Sequence, residues 1–161
     1  MRLFPMSGVA TLGGIVIGIL ASRDATGRGW EYLPLVGGFS GLITGVFFWW
    51  LLIVRRGQYT IARGVVAGAL TGVVGHYLAG YVLILTSFIS YKITGQPVSS
   101  LGEQPVDPLF GLIGAAGLAL WGLILFGWLT VPIGALSGAA IAVLQRRRFT
   151  KLSNQEDKST D

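Results

Sequence analysis

The chain has 161 residues, of which 52% are hydrophobic and only 12% charged, with a formal net charge of +5 and no cysteine. An ordinary soluble domain carries about 25% charged residues, so that class is excluded, and the missing cysteines exclude disulfides and thiolate chemistry. The basic excess does not read as a nucleic-acid surface. Lys and Arg sit at the ends of apolar runs, which is the pattern that orients a membrane protein. The 25 glycines point the same way. Each costs about 1 kcal/mol against alanine in a soluble helix, whereas membrane helices use glycine to bring backbones together.

The first stretch, Met1–Ser22, has an early arginine, Arg2, an apolar body and a small-residue end, the outline of a secretory signal. Its positive region is thin, so the expectation is a retained crossing over about 4–22, with Gly14 and Gly18 four apart on one face. A short polar turn, Arg23–Glu31, follows, with Trp30 and Tyr32 placed for an interfacial aromatic belt.

The second run, expected as a crossing over 33–54, carries Gly37, Gly41 and Gly45 at the same spacing and ends in FFWWLLIVRR. Trp49 and Trp50, just before Arg55 and Arg56, are expected to mark the opposite interface. The short connector to Arg63 makes runs two and three antiparallel neighbours. Within the second run, Gly38-Phe39-Ser40-Gly41 resembles the GxSG nucleophile motif of rhomboid intramembrane proteases. That resemblance implies a serine nucleophile at Ser40 activated by a histidine on another helix, and His76 lies within about 3 Å of the same depth. It covers four residues only. The family is built on six crossings with further histidine and asparagine positions, and the one asparagine here, Asn154, is in the tail.

The third run, Gly64–Tyr91, lacks formal charge and at about 1.5 Å per residue is about 42 Å long. It is expected to cross over 64–90, with Gly64, Gly68 and Gly72 on one face. It holds His76, the chain's single histidine, and is the most polar run: Thr71, His76, Tyr77 and Ser87 together with Ser40 make the candidate intramembrane polar site. An ionisable side chain at membrane depth is a functional hypothesis by default. The alternative is a neutral imidazole hydrogen-bonded to a neighbouring helix, for which Gly75 leaves room. No carboxylate lies in any apolar run, so a histidine–acid proton relay within the chain is not available.

After a polar connection, Lys92–Asp107, comes Pro108–Gln145, about 57 Å if straight. The expectation is one crossing over 122–145, with Gly134 and Gly138 as packing positions and 109–121 interfacial or re-entrant. Two crossings divided near Pro132 are the alternative. The tail, 149–161, is expected to be polar and cytoplasmic. Four crossings with both termini inside place nine of the 12 basic residues on the cytoplasmic side.

The sequence thus predicts an all-α integral membrane protein. It is a four-helix transmembrane bundle over 1–148 with glycine-rich helix packing and one extra interfacial or re-entrant segment, five crossings being the alternative. Small multidrug-resistance transporters need a glutamate in the first helix, and Leu3–Ser22 has no acid; dual-topology fluoride channels carry an asparagine track that this chain lacks. One histidine and no membrane acid make no metal site, and no phosphate-cradling loop is present. No catalytic residue, metal or cofactor is assigned. The expected function is non-enzymatic, that of an accessory, assembly or structural subunit of a membrane complex or homo-oligomer. Its partners are the bilayer and other membrane chains or copies of itself, with no nucleic acid. A channel or carrier along the third helix near His76 is the alternative, and a hydrolase using Ser40 and His76 a further one.

Overall fold

The computed structural model describes residues 4–23, 30–97 and 103–158, and all regular structure among them is helical. Helix α1 spans Phe4–Arg23, a short 3-10 turn Trp30–Tyr32 leads into α2, Leu33–Trp49, and α2 runs on through a wide π turn, Trp50–Val54. Helix α3 spans Ile61–Thr94, α4 Pro108–Gly122 and α5 Trp128–Lys158, the last two joined without a break by a second π turn, Leu123–Gly127. Four stretches are long and apolar enough to cross a membrane: Met6–Arg23, Leu33–Val54, Ile61–Thr94 and Pro108–Arg147.

Local chemistry sets these boundaries. Thr60 caps α3 by accepting the Arg63 N–H at 3.4 Å, and Gly95 ends it at φ +67°, where a side chain would be strained. Asp107 caps α4, its Oδ1 accepting from Leu109 N–H at 2.9 Å, with Pro108 in the first helical position. Gly57, at φ +62°, turns the chain between α2 and α3.

The helices form two antiparallel pairs. In the first, α1 lies on α2: a Cβ at Gly14 would run into the Gly37 carbonyl, and one at Gly18 would sit 2.5 Å from the Leu33 carbonyl oxygen. Gly41 faces the Ala10 backbone, and a Cβ at Gly45 would come within 2.9 Å of the Ala10 Cβ. In the second pair, α3 lies on α5, where Gly64 meets Gly138 and Gly68 meets Gly134 backbone to backbone. Gly72 approaches Thr130 and Val131, with 3.2 Å left for a Cβ. Helix α2 also packs on α3, as the short connector requires.

The outer segment differs from expectation. Residues 109–121 do not turn back, and Pro132 does not divide the run; one helix continues from Pro108 to Lys158, taking in the start of the tail. The five-crossing alternative, which needs a reversal there, is therefore not the architecture. The reason is lateral support. Gly111, Ala115 and Ala119 form a small-residue stripe buried against α3, which stays helical for 34 residues and gives α4 a straight template. Pro132 costs one hydrogen bond, tolerable in a helix held by a neighbour.

A second departure concerns the tryptophans. Trp50 is exposed, with the Arg55 guanidinium 5.9 Å from its ring centroid, but Trp49 is fully buried with Met6, Ile53, Ala67, Ile141 and Ala142. Consecutive helical residues point about 100° apart, so one faces outward and the other becomes the largest buried side chain at the arginine end.

Candidate functional site

Among the described residues, His76 has one polar side-chain partner, on the last helix. Its Nε2 lies 3.0 Å from Thr130 Oγ1, joining α3 to the start of α5. Its Nδ1 edge faces Gly122, where a Cβ would lie only 2.8 Å from that nitrogen, so any larger residue would displace the ring. Next to His76 in sequence, Gly75 faces α2: Thr44 Oγ1 is 3.7 Å from the position a Cβ would take there.

The π turn lies beside this cluster. Leu123–Gly127 begins one residue after Gly122 and ends three before Thr130. Gly127 closes the turn in tight quarters: a Cβ there would be 3.1 Å from Leu123 Cδ2. Such a turn interrupts the regular ladder of carbonyl partners, and the indole Nε1–H of Trp128 donates to the Leu125 carbonyl at 2.8 Å. The extra residue alters the helical phase between Gly122 and Thr130. Both present themselves to one imidazole.

Other candidates have local partners. The Thr71 hydroxyl donates to the Ala67 carbonyl at 2.8 Å and that of Thr44 to the Ser40 carbonyl at 2.7 Å, each within its own helix. Tyr77 O–H donates to the Leu112 carbonyl at 3.1 Å, tying α3 to α4. Ser87 is half-buried eleven positions beyond His76, about 16 Å along the axis, and belongs to a different level. Ser40 is 1% exposed, and its Oγ has no hydrogen-bond partner.

This arrangement brings His76 and Tyr77 onto the α3 faces that meet α5 and α4, but it does not join Ser40 to His76. An activated serine needs its base within hydrogen-bond reach, and the imidazole Nε2 is engaged by Thr130 instead. Among the described residues no group of three or more His, Asp or Glu could hold a metal ion. What the cluster does chemically is fix the α3 histidine against α4 and α5 through one side-chain hydrogen bond and one glycine gap.

Thr130, Gly122 and Thr44 were not among the residues singled out from sequence. Thr130 had a signal: it is the one hydroxyl between Pro108 and Leu136, and a polar group alone in so long an apolar run asks for a partner. Gly122 had none. Its role depends on the phase change at the π turn.

No protein-family model, no curated protein sequence and no solved structure matches this chain.

Proposed function

We propose that this chain is a non-enzymatic, multi-pass membrane protein with both termini cytoplasmic. It serves as an accessory or assembly subunit, either in a complex with other membrane chains or as a homo-oligomer. Its glycine contacts act as zippers that hold its own helices, and the free faces of α4 are where another chain docks. The observation that carries this reading is the length of the apolar surface. Leu109, Phe110 and Ile113 are 78%, 70% and 75% exposed, and the exposed apolar side chains continue through Trp121 and Ile124.

Exposed apolar side chains facing lipid need no protein partner; apolar surface longer than the lipid does. Leu33–Val54 spans about 33 Å, matching a hydrocarbon core of about 30 Å. The charge-free run Pro108–Gln145 spans about 57 Å and would need a tilt near 60° to fit, beyond the range of about 0–40° that crossing helices adopt. Gly64 lies against Gly138, so the run ends about 10 Å past Gly64 at the arginine end, and the rest of the excess lies at the other end, on α4 and the last turns of α3. A second protein surface there would cover what the bilayer leaves exposed.

The test is the mass of the protein purified from its native membrane in mild detergent, with co-purifying chains identified. A fixed set of partners, or a defined homo-oligomer, is expected. Substituting Ile113→Glu should release the partner while helix content is kept. A monomer unaffected by that change would overturn the reading. A channel or carrier is the second reading, favoured by the His76–Thr130 hydrogen bond beside the π turn. It requires flux in reconstituted vesicles that changes in the His76→Ala variant.

A further inference from the structure

The arginine end of the bundle contains a buried cation donor with nothing to answer it. Arg63 lies in the first turn of α3, one helical turn before Ala67, which is fully buried with Met6, Trp49, Ile53, Ile141 and Ala142. Residues four apart share a helix face, so Arg63 stands at the mouth of that cluster. Its Nη1 is buried without a hydrogen-bond partner. A guanidinium is permanently charged and donates only, so a donor withdrawn from water and left unpaired is strongly unfavourable.

The surroundings deepen the imbalance. The first turn of α3 contains no acid, and a helix N-terminus is itself the positive pole, so Arg63 adds like charge to like. Arg55, Arg56 and Arg147 are exposed at the same end. Among the described side chains, the carboxylates Glu31, Glu103 and Asp107 stand at the opposite end of the helices. The next acid after Gln145 is Glu156, about 16 Å further along α5.

The geometry points to a binding site at this end for the phosphate group of an anionic phospholipid, with the Arg63 guanidinium as its inner donor and Arg55, Arg56 and Arg147 supplying the surrounding positive field. A guanidinium matches a phosphate in shape and charge, and basic recesses between membrane helices at the interface are where lipid headgroups are held. The site rests on the crossing of the membrane by α3 and α5, and not on the docking of a partner at α4, which lies at the other end. Loss of one therefore leaves the other standing, and native mass separates them.

The experiment follows thermal unfolding of the full-length chain, delipidated in detergent, by circular dichroism. The probes are short-chain phosphatidylglycerol, short-chain phosphatidylcholine and inorganic phosphate at matched ionic strength. Phosphatidylglycerol should raise Tm saturably, and phosphatidylcholine should not. In Arg63→Gln the concentration needed should rise by about tenfold, as expected for loss of a charge-assisted hydrogen bond. Arg147→Gln should shift it less. If Arg63→Gln does not fold, Arg63→Lys keeps the charge, loses the fork and should still weaken the effect. Inorganic phosphate matching phosphatidylglycerol, with the same loss in the Arg63 variants, would uphold the phosphate chemistry and overturn the lipid as its source. No saturable shift, an equal shift with phosphatidylcholine, or an undiminished shift in both Arg63 variants would overturn the site.

Discussion

Gly68 on α3 and Gly134 on α5 meet backbone to backbone, so that a Cβ added to either would enter the other's carbonyl group. The obstruction is main chain and cannot rotate aside. Gly68→Leu should therefore force α3 and α5 apart, costing about 3 kcal/mol or more, at or beyond the usual range for overpacking. Gly13, with nothing within 4 Å of its would-be Cβ, is the control. Gly13→Ala should be neutral or stabilising by up to about 1 kcal/mol through helix propensity alone. Reversible unfolding in mixed detergent micelles measures both. Equal effects at the two positions would show that the α3–α5 contact does not hold the fold.

The His76–Thr130 hydrogen bond has a measurable coupling. A double-mutant cycle of His76→Ala and Thr130→Val should yield an interaction energy of about 0.6 kcal/mol, and no more than about 2 kcal/mol, the scale found for hydrogen bonds between membrane helices. Additive single effects would mean the pair contributes nothing. Gly122→Val, which invades the Nδ1 side of the ring, should abolish the coupling while both partner residues are left unsubstituted.

Ser40 gives the opposite expectation. Its hydroxyl is buried without a partner and already bears its desolvation cost, so Ser40→Ala should leave stability unchanged or raise it by about 1 kcal/mol. The wild-type chain should not be labelled by a fluorophosphonate serine probe. Labelling that disappears in both Ser40→Ala and His76→Ala would revive a hydrolase.

The absence of cysteine makes topology directly readable. Gln58→Cys, in the α2–α3 turn, and Glu103→Cys, before α4, are both at exposed positions. In intact cells an impermeant maleimide should label Glu103→Cys at once and Gln58→Cys only after permeabilisation. Reversal would invert the orientation. Labelling of both from one side would mean that α3 does not cross.

Much of this protein was settled by its order of residues alone. Runs of uncharged residues bounded by arginines specify helices of membrane length, because backbone polar groups in hydrocarbon must be satisfied within the segment. The glycines four apart mark the faces on which backbones can meet, since helical spacing puts them in line before any neighbour is known. What only the tertiary structure decided is which faces meet, and where each helix stops. The stripe on α3 pairs with α5 rather than α2. The run 109–121 stays straight because a 34-residue α3 lies beside it. Trp49 turned inward although its neighbour Trp50 faces out. His76 finds Thr130, 54 positions away, across a π turn that rephases the helix between Gly122 and Thr130. These outcomes depend on the angular phase of one helix relative to another. A local pattern carries depth and spacing, but the phase is set only when packed backbones choose their closest approach.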